Sequence, residues 1–307
     1  MIEWLGSALL SVFVWPGAIS GALLAWFFMW LARKFSARLQ GRFGPPFYQP
    51  FFDFVKLLGK KTLVPEGVSP ALFFGLPVSA VIAMVFALAL LPLPGNQSIS
   101  FAGDLILLVY LMEMPALCTV IAGFSSRSLY GQVSSSREAV LLLGYNLPFL
   151  ASVVALAVQA NSFRLTDLAN QPWTPVHIAA ALAFLIAVPA RLRTNPFSIP
   201  NAEQEIVGGA MTEFNGTPLA LFELAHGLEL VALVGLFNVL FIPVIANHWL
   251  ALLVYLLVSA VLVILISVVA TATARVQLSR ALRFYWGWGA AAAVLSTVTS
   301  ASAPAAG

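Results

Sequence analysis

ARKFSARLQGRFGPPFYQPFFDFVKLLGKKTLVPEG, residues 32–67, separates two long apolar stretches and holds seven of the fifteen Lys and Arg residues of the chain. Those seven are Arg33, Lys34, Arg38, Arg42, Lys56, Lys60 and Lys61. The apolar stretches beside it run 8–32 and 71–93, and six more follow at 103–124, 139–160, 175–190, 218–243, 250–270 and 284–302. Each approaches the ~20 apolar residues a helix needs to cross a bilayer, although 175–190 is short. With 61% hydrophobic and 9% charged residues, the 307-residue chain is too apolar for a water-soluble domain. The expectation is an all-α, polytopic membrane protein with about eight transmembrane helices, a single integral membrane domain over residues 1–307.

The remaining charge sets the orientation. Arg127 and Arg137 lie between the third and fourth stretches, Arg191 and Arg193 between the fifth and sixth, and Arg275, Arg280 and Arg283 between the seventh and eighth. Only Arg164 falls among the connections of the other side. By the positive-inside rule the basic loops face the cytoplasm, and both termini lie outside the cytoplasmic (inner) membrane. Labels at Ser98 and Ser134 should therefore report opposite faces. The first stretch has no basic n-region, carries Glu3 and is too long for an h-region, so it reads as a span and not as a cleaved signal peptide. The net charge of +3 follows topology and forms no patch suited to nucleic acid.

Redox chemistry has little to work with inside the chain. Its one cysteine, Cys118, can neither pair within the chain nor hold an iron–sulfur cluster. His177, His226 and His248 do not have ligand spacing; His177 and His248 read as structural or interfacial. No phosphate-binding glycine loop and no nucleophile–base arrangement stands out. The chain by itself reads as a non-catalytic subunit, without a cofactor of its own.

Two basic-side loops hold most of the non-helical complexity. After the breaker Gly44-Pro45-Pro46, residues Phe47, Phe51, Phe54, Val55 and Leu58 recur at helical spacing, with Asp53, Lys56, Lys60 and Lys61 largely between them. This is an amphipathic helix at the cytoplasmic membrane surface, either an anchor on the lipid or a docking platform for a partner. The second loop reads RLRTNPFSIPNAEQEIVGGAMTEFNGTP, residues 191–218, and contains Glu203, Glu205 and Glu213, three of the twelve acids. Pro196 and Pro200 interrupt any helix there, Gly208-Gly209 imply a tight bend, and Asn201 is placed to cap a short helix near Ala202. Acids in that first turn suit the helix dipole; equally, they can form the mouth of a proton path.

Four more acids fall within the apolar stretches or at their edge. Glu113 is near the middle of the third, Glu138 opens the fourth, and Glu223 and Glu229 flank His226 in the sixth. An intramembrane charge costs about 2.5–3.5 kcal/mol on insertion scales, so such groups face protein or water. Steps of three along a helix keep Glu223, His226 and Glu229 within an arc of about 120°. Carboxyl and imidazole groups are the residue types a proton relay needs. The plainer reading is a set of interhelical hydrogen bonds made by protonated acids.

QGRFGPP, QPFFDFVKLL and NPFSIPNAEQEIVGGAMTEFNG together resemble the signatures of the complex I subunit 1 family, over essentially the whole chain. That family includes the matching membrane subunit of energy-converting nickel–iron hydrogenases. Against the pattern ETNRAPFDLxEAExELV of quinone-reducing members, Arg191, Ser198 and Asn201 stand at acidic positions. Tyr145-Asn146 stands where the pattern has Tyr-Glu, and His226 where it has the Glu of Ala-Glu-Tyr. The combination is most similar to the hydrogenase branch, in its CO- or ferredoxin-linked forms.

The resemblance implies a membrane anchor and coupling subunit. Its partners would be hydrogenase large and small subunits, an iron–sulfur ferredoxin-like subunit and an antiporter-like membrane subunit, besides membrane lipid. The nickel–iron centre and iron–sulfur clusters would belong to those partners. The loops 33–69 and 191–217 would seat the peripheral arm through Arg38, Arg42, Gln49, Asp53, Lys56, Arg191 and Arg193. The proton (or sodium) path would run through Glu113, Glu138, Glu203, Glu205, Glu213, Glu223, His226 and Glu229. The alternative is the quinone-site membrane subunit of a respiratory NADH:quinone oxidoreductase. A secondary transporter fits less well, because the two halves show no paired repeat. A bare structural anchor would not require acids within its helices.

Overall fold

A computed structural model describes residues 2–96, 99–291 and 294. Twelve α-helices and no strand occur among the described residues. In order they are α1 (Ile2–Phe13), α2 (Ala18–Leu39), α3 (Gln49–Leu58), α4 (Pro70–Leu90), α5 (Asp104–Ser125), α6 (Leu129–Ala160), α7 (Leu165–Ala169), α8 (Pro175–Arg191), α9 (Glu203–Ile206), α10 (Gly216–Phe241), α11 (His248–Ala272) and α12 (Leu278–Phe284). Six stretches are long and apolar enough to cross a membrane, and α8 is a shorter apolar helix. The eighth expected span, 284–302, begins in the π-helical turn Tyr285–Gly289 that continues α12; residues 292–293 and 295–302 of it lie outside the described residues.

The structure alters two boundaries. The first stretch is two helices: α1 stops where Val14 and Trp15 both bond the Leu10 carbonyl, and α2 starts after Pro16 and Gly17. Proline supplies no N–H and glycine resists helix propagation. The fourth span begins at Leu129, so Glu138 lies well inside α6 and not at its mouth. The opening residues LYGQVSSSRE are polar and escape an apolarity reading, but they pack against the second loop. Ser134 is one of them: it is 1% exposed and its hydroxyl donates to the Pro200 carbonyl at 2.7 Å. It cannot report a surface, and Ser98 lies outside the described residues.

α10 is the central post. It touches α2, α3, α4, α5, α7, α8 and α11, and it is far more deeply buried than any other span. The outer helices present Leu107, Tyr110, Ile121, Leu143, Leu182 and Leu257 outward, as expected of lipid-facing surface. α5 and α6 approach backbone to backbone at Gly123 and Gly131; a Cβ on Gly123 would lie 2.7 Å from the Gly131 carbonyl oxygen.

The connections sort onto two ends. At one end Leu63 and Asn215 exchange hydrogen bonds of 2.8 and 2.9 Å, and Arg275 Nε donates to Ser198 Oγ. Pro200 meets Ser134 there, and the Arg127 guanidinium lies against Gly67. At the other end Leu165 N donates to Asp104 Oδ1 at 2.8 Å, and Trp173 Nε1 donates to the Phe241 carbonyl at 3.0 Å. All four basic connections thus gather at one end, and Arg164 sits at the other. The second loop does not stand away from the bundle. Phe197, Ile199, Ala202, Ile206, Ala210 and Phe214 are buried, Phe197 packs on Tyr285, and Phe214 stacks on Phe73 at 4.6 Å. Its reversals use Gly208 and Gly209, both at positive φ, as the sequence implies.

Cysteines placed at the exposed Gln40 and Ser100 should be labelled from opposite sides of sealed membranes; labelling of both from one side would refute the orientation. Gly123→Ala should destabilise the subunit by about 1–3 kcal/mol through overpacking and lower the melting temperature of the purified complex. Gly75→Ala, with open space around it, should not.

Candidate functional site

Arg191 is the residue around which the site assembles. It ends α8, where a helix terminus favours a cation, and its side chain is only 1% exposed. Its Nη1 donates to Glu113 Oε1 at 2.6 Å and its Nη2 to the Met112 carbonyl at 2.5 Å, so both bonds go to α5 beside the interior Pro115. The guanidinium lies 4.4 Å from the centroid of the Phe149 ring, and Asn146 Nδ2 holds the other oxygen of Glu113 at 3.1 Å. Arg191 Nε then approaches Glu229 Oε1 at 3.8 Å.

Arg193 continues the series two residues on. Its Nη2 donates to Glu229 Oε2 at 3.1 Å, its Nη1 to Thr119 Oγ1 at 3.2 Å, and its Nε lies 3.8 Å from Glu138 Oε1. The result is an alternating line Glu113–Arg191–Glu229–Arg193–Glu138, built from α5, α8, α10, the second loop and α6. Glu138 and Glu229 are each 1% exposed. Such a line resolves the cost of buried charge, since each guanidinium lies between two carboxylates. It also leaves three carboxylates for two guanidiniums.

A second file joins this line on α10. Glu223 is exposed, His226 has a side-chain exposure of 36% and Glu229 is buried. His226 Nδ1 lies 3.7 Å from Glu229 Oε2, an approach too long for a hydrogen bond. A small cavity of about 70 Å³ touches Thr119, Arg193, Asn201, Glu223 and His226, so the file leads from the surface to the buried line. Glu113, Glu138, Glu229 and His226 are therefore brought together, with Glu223 at the outer end.

The other expected path residues stand apart. Glu205 pairs with Arg137 at 2.7 Å on the surface, and Glu213 is half-buried in the 3-10 turn Gly209–Glu213. Glu203 opens α9, and its side chain lies outside the described residues.

The residues expected at the docking face divide similarly. Asp53 accepts from Arg33 at 3.0 Å and from Gln49 at 2.8 Å, which ties α3 to α2. Arg38 lies over Phe43, Arg42 bonds Gln40, and Lys56 is exposed on the amphipathic helix. Arg191 and Arg193, in contrast, point into the bundle. Their partners Met112, Thr119 and Phe149 carry no signal in the sequence, whereas Asn146, which bonds Glu113, stands where the resembling pattern has an acid. A hint lies in Arg191 itself, a cation at a position where the resembling pattern has an acid. Among the described residues no group of three His, Cys, Asp or Glu is placed to hold a metal ion.

An all-helical, polytopic membrane protein with a charged line buried at its basic end is the class these features define. The family model described as NADH dehydrogenase matches residues 14–301, and the chain belongs to that family, the complex I subunit 1 family. The second H-type subunit of NADH-quinone oxidoreductase from Syntrophobacter fumaroxidans (strain DSM 10017 / MPOB) is 31% identical over 265 residues, which cover 79% of this chain and 80% of that protein. A solved chain of the membrane-bound sulfane sulfur reductase, an archaeal respiratory membrane complex, aligns with a TM-score of 0.87 at 27% identity, over 98% of this chain and 100% of that one.

Removing one member of the line should leave its partners buried and unpaired. Arg191→Met should cost about 3–5 kcal/mol and reduce the intact complex recovered from membranes. The double variant Arg191→Met/Glu113→Met should recover part of that loss. Equal recovery of the single variant and the wild type would show that the pair holds nothing together.

Proposed function

We propose that this chain is the membrane anchor and coupling subunit of an energy-converting complex of the hydrogenase type. In this reading peripheral partners carry electrons from a ferredoxin-type donor to protons and form H2. Those partners would be hydrogenase large and small subunits and an iron–sulfur ferredoxin-like subunit. An antiporter-like membrane subunit would lie beside the chain in the cytoplasmic membrane. The loops 33–69 and 191–217 would seat the peripheral arm, and the chain would link its redox step to movement of protons or sodium ions.

The observation that carries the reading is the alternating line of buried charges beneath the second loop. A bare anchor gains nothing from three carboxylates in its interior. Carboxyl groups on three separate helices, joined to the surface through His226 and Glu223, suit transfer of a proton by steps. Arg191, Ser198 and Asn201, at positions that are acidic in the quinone-reducing pattern, favour the hydrogenase branch.

A second reading, the quinone-site membrane subunit of a respiratory NADH:quinone oxidoreductase, has its own support. Two cavities of about 250 and 210 Å³ adjoin Met29, Arg33 and Glu223 near the basic ends of α2 and α10. Their lining mixes apolar side chains with Arg33, Asp53 and His226, which suits an amphiphile with a polar head. The name of the Syntrophobacter relative also points this way. Nickel without quinone in the purified complex supports the first reading, and quinone without nickel the second.

In the hydrogenase-type reading, Glu138→Gln removes titration while keeping size. Nickel content and electron transfer to a viologen acceptor should stay near normal, and proton movement coupled to turnover should fall. Unimpaired pumping in this variant would make Glu138 structural. Glu138→Asp is the probe to use if the Gln variant does not assemble.

A further inference from the structure

The two buried arginines are held differently. Arg191 is fixed by a helix, two hydrogen bonds to α5 and an aromatic face. Arg193 belongs to no helix. It sits on the second loop at φ 53, in a region that non-glycine residues seldom occupy. It donates to Glu229 and to Thr119, and only its Nε, which makes no hydrogen bond, lies near Glu138. Neither oxygen of Glu138 accepts a hydrogen bond, although the residue is buried. The carboxylate in excess over the guanidiniums thus adjoins the cation carried by the loop.

The groups around Glu138 are few. Glu113 faces it from α5, Tyr145 from its own helix, Arg193 from the loop, and Glu229 and His226 from α10. Arg191 stands behind them at the end of α8. No lysine is among them. When Arg193 is in place, Glu138 and Glu229 share a cation. When it is withdrawn, Glu138 has no cation beside it and Glu229 keeps only Arg191 Nε at 3.8 Å, and in a medium of low dielectric uptake of a proton by one of the two carboxylates is favoured.

We propose that Arg193 is a positioning residue of the coupling step: a counter-ion carried by the second loop, whose displacement draws one proton into the Glu138–Glu229 pair and whose return expels it. The proposal rests on the reading of this chain as a coupling subunit. The step is an acid–base exchange. One carboxylate oxygen gains an O–H bond as a hydronium ion in water that reaches His226 and Glu223 through the small cavity loses one; on the return of Arg193 that carboxyl O–H bond breaks and the proton passes to Glu113 at the far end of the line, and no electrons move within this chain. The loop is suited to carry the motion. Beyond the bonds of Arg193 itself, its polar ties to the rest of the bundle as far as Pro200 are those of Thr194 to Pro189, Ser198 to Arg275, Pro196 to Val276 and Pro200 to Ser134.

The test uses the whole complex in sealed vesicles, with reduced ferredoxin as donor and a pH-sensitive dye inside. Arg193→Gln should keep electron transfer to a viologen acceptor while fewer protons move per electron. The pH profile of coupled turnover should also move alkaline by about one to two units, since an opposite charge within ~4–6 Å is removed from the carboxylates. An unchanged ratio, or a lower ratio with the wild-type pH profile, overturns the proposal. If Arg193→Gln does not assemble, Arg193→Lys carries the test. Its ammonium keeps the charge but cannot span two carboxylates, so the ratio should fall with the pH profile retained, and an unchanged ratio overturns the proposal. A wild-type complex that moves no protons overturns the coupling reading and this inference together. A coupled wild type with an indifferent Arg193 overturns this inference alone.

Discussion

Three carboxylates inside a helical bundle need counter-charge, and two guanidiniums supply most of it. That constraint reaches through the architecture. Arg191 can meet Glu113 and Glu229 only if α8 ends at the level of α5's interior proline and beside α10. Arg193 can meet Glu229 and Glu138 only if the chain turns inward just after α8. The inward turn requires the second loop to fold into the bundle, and the buried Phe197, Ile199 and Phe214 compensate for its irregular backbone. Charge pairing and loop packing therefore depend on each other.

The central position of α10 serves the same end. Its apolar residues face neighbours on nearly every side, and Glu229 is its one fully buried acid. One turn and two turns earlier, His226 and Glu223 step outward toward the basic end. The helix is thus both the post of the bundle and the element that carries ionisable groups from the surface to the buried line. On the proposed reading, the coupling step occurs where that file meets the loop.

Much of this is legible in the residues. The sorting of Lys and Arg between alternate connections gives the two ends of the bundle, because charged side chains remain at the polar boundary. The spacing of Phe47, Phe51, Phe54 and Leu58 gives α3, and Gly208-Gly209 gives a reversal seen at positive φ. What escapes has a physical cause. Arg191 and Arg193 follow an apolar helix, the ordinary place for a topogenic charge, and nothing local indicates that they turn inward. Their partners Glu113 and Glu138 are far away along the chain, on α5 and α6, and such pairings are set by packing. The start of α6 is hidden because polar helical turns buried under a loop look like loop to an apolarity reading.

On the proposed mechanism the buried line changes its protonation as the complex turns over. Infrared difference spectroscopy of the intact complex, comparing resting and turning-over states, observes the carbonyl stretch of a protonated carboxyl group directly. A protonated-carboxyl band should change with turnover and disappear in the Glu138→Gln variant. A spectrum without such a band, or with one unaffected by loss of Glu138, would contradict that mechanism.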